Sequence, residues 1–345
     1  MSLIIRKVAS VLTSFASASF LTRVIRLLAL SFLMINAILL VGCVADKSDE
    51  TLRSADVAEI PLHIVASTTI LGDLVKNIVG EQAIVSVLLP PGADPHDYHV
   101  SAKQVAVLVQ ADLVVVNGLF LEEGLVDVLK SAIAEGVNVI QIAERLDPLP
   151  YDSVHAASEF NESVTFNRKD PHVWLDPIRM ADATHIVADE LVNIAGDRDW
   201  SSRANDYAAR LRSLDEEIRL TLSAIPERNR KLVTNHDSLS YFANRYGFKV
   251  IGTVIPGSST LADSSSAQLA TVVDVITAEG VRSIFAETTD SALLAETVAR
   301  EVGTFVKVVD LYTGSIGEPG SGADSLIGML RTNAARIAEA LEPEG

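Results

Sequence analysis

From residue 62 onward the chain alternates short apolar runs with stretches whose apolar residues recur every three or four positions. His63-Ile64-Val65-Ala66 reads as a strand, residues 70–79 as a helix stopped by Gly80, and residues 83–89 as a second strand ended by Pro90-Pro91-Gly92. A helix over residues 101–110 leads to the strand Leu113-Val114-Val115-Val116, a helix near 120–135 and a strand over 137–142. Uninterrupted apolar strands separated by helices predict a parallel sheet covered on both faces. Residues 147–169 carry Pro, Ser, Asn and acidic side chains without a period and read as a surface loop. Asp176-Pro177 then opens a helix, with an N-cap and a proline at its first position, that runs to Gly196.

A second pattern begins at Asp199. Trp200, Ala204, Tyr207, Leu211, Leu214, Ile218, Leu222 and Ile225 fall at helical spacing before Pro226. They predict one amphipathic helix of about 37 Å at 1.5 Å per residue. Strands then recur at 231–234, 249–254, 283–287 and 305–309, with helices near 238–246, 264–279 and 290–301. A final helix carries Leu326, Leu330, Ala334, Ile337 and Leu341 on one stripe. The expected fold is α/β: two similar lobes with mainly parallel sheets, residues 61–196 and 228–345, joined by a bridging helix over 197–227.

The first 60 residues stand outside this pattern. Residues 1–42 hold Arg6, Lys7, Arg23 and Arg26, no acidic residue, and a largely apolar run from Leu27 to Val41. A basic start, an apolar stretch short for a membrane span and a small-residue end describe a secretory signal. Leu40-Val41-Gly42-Cys43 resembles a bacterial lipobox, which implies cleavage before Cys43 and a diacylglyceryl anchor on it. A transmembrane anchor with an incidental cysteine is the competing reading. Residues 43–60 are polar and unpatterned and read as a tether.

Composition narrows the chemistry. The 345 residues hold 28 Lys+Arg against 45 Asp+Glu, a net charge of −17, and aromatics are 5%. A nucleic-acid binder needs a basic face and stacking platforms, so that class is excluded. Losing the signal removes four positive charges and takes the net to −21. With Cys43 the only cysteine, disulfides within the chain and multi-cysteine metal sites are excluded.

What remains is histidine. Asp-Pro-His occurs twice, at Asp94-Pro95-His96 and Asp170-Pro171-His172, and Thr234-Asn235-His236-Asp237 follows the first strand of the second lobe. All three lie in loops, and His96 and His236 lie beyond strand carboxyl ends, where open α/β sheets bind ligands. They are placed to converge between the lobes. Imidazole donors suit zinc, whereas an oxygen-rich set suits manganese or magnesium. Asp94 or Asp97, Asp170 or Asp176, and Asp237 are placed to accept the second ring N–H of each histidine. A lone loop histidine is more often a hydrogen-bonded surface residue, and no short metal signature is present. His63 and His185 read as structural, His99 as a candidate to support His96, and Trp174 as apolar packing beside the site.

The chain resembles the zinc/manganese-binding lipoproteins that serve ABC importers. The resemblance rests on LLPPGADPHDYHVSAKQV (88–105), ADLVVVNGLFLEEGL (111–125), DPHVWLDPIRM (170–180), TNHDSLSYFANRYGF (234–248), SIFAETT (283–289) and LYTGSIGEPGSGADSLIGMLRTN (311–333). It implies two lobes bridged by a rigid helix, one metal ion between them, and His96, His172 and His236 as ligands. His236 resembles the zinc-binding branch, because manganese binders typically have Glu there. Many relatives carry Asp within Leu-Tyr-Thr-x-Ser, where this chain has Gly314. Glu287 is the first candidate for the fourth ligand, with Glu318 and Asp324 as fallbacks and a bound water as a further option. A salt-bridged or capping carboxylate at the lobe interface is the structural alternative for Glu287. The histidine-rich loop of many zinc binders is reduced here to His155.

The expected function is a receptor, not an enzyme. It would capture Zn2+, with Mn2+ as the alternative, and pass it to an ABC permease and its ATPase. It is expected to be a monomer in the cell envelope, anchored through Cys43 on the outer face of the cytoplasmic membrane. A zinc hydrolase with three histidines and an open position is the rival class. Against it, the chain has neither an HExxH helix nor a nucleophile elbow. A surface adhesin is a weaker alternative.

Overall fold

A computed structural model of the chain describes residues 61–151, 169–303 and 305–342. The expected signal peptide, the tether, Cys43 and His155 lie outside these residues. The first sheet contains β1 (Leu62–Ala66), β2 (Ala83–Val87), β3 (Leu113–Val116) and β4 (Val139–Gln141), in the order β2-β1-β3-β4 with every pairing parallel. Its helices are α1 (Thr69–Val79), α2 (Ala102–Leu108) and α3 (Val126–Ala134). Two further helices follow, α4 (Pro177–Ala195) and α5 (Trp200–Leu222).

The second sheet comprises β5 (Lys231–Thr234), β6 (Lys249–Thr253), β7 (Ser283–Glu287) and β8 (Lys307–Leu311), again parallel, in the order β6-β5-β7-β8. Its helices are α6 (Ser240–Tyr246), α7 (Ser266–Glu279), α8 (Leu293–Glu301) and α9 (Leu326–Leu341). The two sheets therefore repeat one topology without a visible sequence repeat. In each, the chain lays down a strand, adds the second on one side, then crosses to build the third and fourth on the other. The reversal falls between β1 and β3 and between β5 and β7, and the crevice beyond those carboxyl ends is the natural ligand position.

Local chemistry sets these elements. All four residues of β3 and all five of β7 are buried, as strands covered on both faces require. Ser101 and Gln104 form a reciprocal capping box on α2. The Asp176 carboxylate accepts from the Ile178 N–H with Pro177 following, the start expected for α4.

Among the boundaries that differ from expectation, three have a visible cause. The helix expected near 120–135 begins only as a short 3-10 turn at Glu123–Leu125, because residues 117–122 fold back into a loop around the Glu122 carboxylate. Leu119 and Phe120 adopt positive φ of 55° and 64° there. The last strand runs two residues later than expected: Phe305 is 75% exposed, whereas Leu311 is buried. The long helix ends at Leu222, where the Arg230 guanidinium takes the carbonyls of Leu222 and Ile225 (3.4 and 3.1 Å) and satisfies its final turn.

The apolar core is continuous across the molecule. Ile64 and Leu74 of the first lobe, Leu211 and Ile218 of α5, and Phe242 and Leu330 of the second belong to one packed cluster. α5 is packed along its length against α4, α1 and α9, with the Thr184 hydroxyl reaching the Ala204 carbonyl (3.2 Å). Asp215 lies within its buried stripe and accepts from Arg245 (2.5 and 2.6 Å), Tyr246 (2.9 Å) and Arg219 (3.2 Å). Burial raises the Asp215 carboxyl, but the hydrogen bonds from Arg245, Tyr246 and Arg219 and the Arg245 charge together outweigh it and hold the group below the ordinary carboxylate range.

Candidate metal centre

His96 lies in the loop between β2 and α2. His172 starts the short turn Val173–Leu175 that leads to α4, and His236 follows β5. All three are at most 2% exposed. Their Nε2 atoms face inward: His172 Nε2 is 3.4 Å from that of His96 and 3.1 Å from that of His236. Among the described residues, this is the one group of three or more His, Cys, Asp or Glu donors held within 4.8 Å of one another.

The outward nitrogens of His172 and His236 meet carboxylates, and that of His96 faces one at longer range. His172 Nδ1 is 2.7 Å from Asp170 Oδ1, His236 Nδ1 is 2.6 Å from Glu287 Oε1, and His96 Nδ1 is 3.6 Å from Glu123 Oε1. Asp170 thus stands where the sequence placed it. Asp94 instead holds the His96 backbone N–H (2.9 Å), and Asp237 accepts from Ser240 (2.8 Å). The carboxylates beside the rings of His236 and His96 are Glu287 and Glu123.

Burial disfavours charge on both Glu287 and His236, yet each favours the charged form of the other. Glu287 lies below the ordinary carboxylate range, and His236 above the ordinary imidazole value. His172 is held well below it by burial and by the two neighbouring imidazoles. Burial pushes Asp170 up to about 7. A divalent cation on the far side of the ring would draw that carboxyl back toward ionisation.

The arrangement fits a cation. An ionised carboxylate only accepts hydrogen bonds, so a carboxylate at Nδ1 directs the ring proton there and turns the Nε2 lone pair inward. Nitrogens converging at 3.1–3.4 Å need positive charge between them, which a shared ring proton supplies in the free protein and a bound cation would supply in its place. The other walls of the void include Pro95, Trp174, Thr289, Thr313 and Gly314. Trp174 packs edge-on to His172 (5.3 Å between ring centroids) and donates to the Thr313 carbonyl (2.6 Å).

Two of the remaining carboxylate candidates lie apart. Glu318 and Asp324 are exposed, and Asp324 accepts from the Gly320 N–H (2.8 Å). Glu287 lines the void, but its Oε1 is occupied by His236 and by Ser238 (3.1 Å). A Cβ on Gly314 would come 2.9 Å from Thr289 Oγ1 and 3.0 Å from Pro95 Cδ, so an aspartate there requires its neighbours to give. His99 is exposed and His63 bonds Ser86. Sequence patterning missed Glu123 and the buried Asn117–Glu122 pair, in which Glu122 binds the Asn117 N–H (2.7 Å) and Ser67 (2.6 Å). Asn117 in turn reaches the Pro171 carbonyl (2.9 Å). The only signal was their position just past a strand's carboxyl end.

Residues 64–340 match the family described as ZnuA, zinc-uptake complex component A, periplasmic. The chain belongs to this family. It is 33% identical over 309 residues to the manganese-binding lipoprotein MntA of Bacillus subtilis, covering 88% of this chain and 95% of that one. It is 29% identical over 284 residues to the zinc-binding protein TroA of Treponema pallidum, covering 81% and 88%. The structure of the periplasmic zinc-binding protein TroA superposes with a TM-score of 0.73 at 27% identity, covering 82% of this chain and all of that one. As a family member this receptor is the metal-binding, substrate-binding component of an ABC importer and not an enzyme. No helix among its described residues is long and apolar enough to cross a membrane.

Proposed function

We propose that the receptor captures zinc in preference to manganese, on the Nε2 atoms of His96, His172 and His236, and hands it to its permease. The observation that carries this reading is the 3.1 and 3.4 Å spacing of three buried Nε2 atoms whose outward nitrogens face carboxylates. Donors around a tetrahedral ion at 2.0–2.1 Å stand about 3.3 Å apart. An imidazole-rich donor set favours zinc over manganese, which prefers oxygen. Relatives are named for either metal, so the preference rests on this chain's own donors.

Glu287 is the fourth residue of the proposed set. With Oε1 engaged by His236 and Ser238, it contributes chiefly by orienting His236. Glu318 and Asp324 are weaker candidates because both are exposed. Lipidation of Cys43 would keep the receptor, a monomer, beside its permease on the outer face of the membrane. The described residues add nothing to the adhesion reading.

The test is metal analysis of the purified chain, followed by equimolar competition. One zinc per chain that displaces manganese is expected; manganese retained against zinc overturns the preference.

A further inference from the structure

The two carboxylates that attend His96 are shared with the opposite lobe. Asp94 Oδ1 accepts the His96 backbone N–H (2.9 Å), while its Oδ2 accepts the Thr260 hydroxyl (2.6 Å). Glu123 Oε1 stands 3.6 Å from His96 Nδ1 and accepts the Ser259 hydroxyl (2.6 Å). Ser259 and Thr260 sit in the turn that follows β6, and neither donates to a histidine directly.

The same turn is fastened to the His236 loop. The Asp237 N–H, one residue past His236, donates to the Gly257 carbonyl (3.0 Å), and the Ile255 N–H donates to the Asn235 carbonyl (2.6 Å). Gly257 has φ +100°, a conformation that side-chain-bearing residues rarely adopt, and it turns the chain toward the first lobe. One short turn is therefore connected to the His96 loop through two hydroxyls and to the His236 loop through the backbone.

Elsewhere the lobes meet through the continuous core and through buried bonds such as Thr69–Ser315 (3.0 Å). The Ser259–Glu123 bond is solvent-exposed, and residues 256–260 are only half-buried. Polar contacts at an exposed rim open at far lower cost than a packed core.

We propose that Ser259 and Thr260 form a latch across the mouth of the metal centre. They are positioning residues that hold His96 through Glu123 and Asp94 and set the rate at which the ion leaves. With the latch made, both carboxylates are fixed and His96 is held in the converged geometry. With it open, Asp94 and Glu123 lose their cross-lobe partners, His96 gains freedom, and the ion departs without separation of the lobes. The proposal rests on the three-histidine reading above but not on the choice of metal.

The test compares metal dissociation from the full chain, by chelator capture, for the wild type, the pair S259A/T260V and the conservative pair S259T/T260S, with zinc and manganese in turn. S259A/T260V should release metal at least about tenfold faster, as loss of two hydrogen bonds to charged acceptors implies. Association and metal-free melting temperature should stay near wild type, and S259T/T260S should restore slow release. Wild-type dissociation from S259A/T260V overturns the latch, as does fast dissociation from S259T/T260S. Failure of the wild type to bind either metal overturns the underlying three-histidine reading instead, and the latch with it.

Discussion

His236 Nδ1 and Glu287 Oε1 lie 2.6 Å apart, both buried, at the carboxyl ends of neighbouring strands. The contact leaves the other nitrogen of His236 facing His172. Glu287→Gln should therefore weaken zinc binding by about 10- to 100-fold, the usual cost of losing a carboxylate that orients a ligating histidine. Competition titration measures this loss. X-ray absorption should retain the wild-type count of imidazole ligands.

His96→Ala, His172→Ala and His236→Ala should each lower zinc affinity by orders of magnitude while leaving the circular dichroism spectrum intact. Unchanged affinity removes that residue from the centre. Zinc should raise the melting temperature of the wild type, because a ligand that binds only the native state stabilises it by mass action. It should do so far less for these variants.

Metal affinity should fall with acid. Metal competes with protons for the imidazoles, and His236 holds its proton to higher pH than an ordinary histidine because Glu287 faces it. Affinity is thus expected to drop as pH falls through the raised His236 value. Glu287→Gln removes the charge that raises it, so the midpoint of the drop should move to lower pH. Titration of zinc affinity against pH in both proteins checks this.

Asp215 predicts a separate acid dependence of stability. Its native carboxyl titrates below the unfolded value, so its contribution is present above the unfolded value of about 3.9 and is lost as pH falls through the native one. Asp215→Ala leaves Arg245 without its main partner and should cost about 3 kcal/mol at neutral pH. The loss should shrink toward pH 3, as read by urea denaturation.

Much of this architecture was legible beforehand. Fully apolar strands such as Leu113–Val116 and the periodic stripe from Trp200 to Leu222 announce themselves, because covered parallel strands and amphipathic helices leave strong patterns. The three histidines were legible from their loops and from the repeated Asp-Pro-His. The partner of His236 was harder to see: Asp237 is adjacent in sequence, but the carboxylate at the ring nitrogen is Glu287, a strand away. Glu123, Ser259 and Thr260 carry no local signal, since their roles come from long-range packing. Gly314 was readable as a missing carboxylate, but the crowding by Thr289 and Pro95 was not.

Gly314→Asp would add the oxygen donor that many relatives carry there. It should shift the competition toward manganese, since oxygen donors favour the harder ion. Overpacking against Thr289 and Pro95 should cost stability of about 1–3 kcal/mol. Competition binding and thermal denaturation of the variant read the two effects separately.

The apolar cluster shared by both lobes has a consequence for how such a receptor changes over generations. Substitutions that fortify the core raise resistance to heat without reaching the rim, and substitutions at the rim alter cargo residence time without exposing the core. Durability and delivery speed are under separate control, so a lineage can adapt one to its habitat while tuning the other to its transporter.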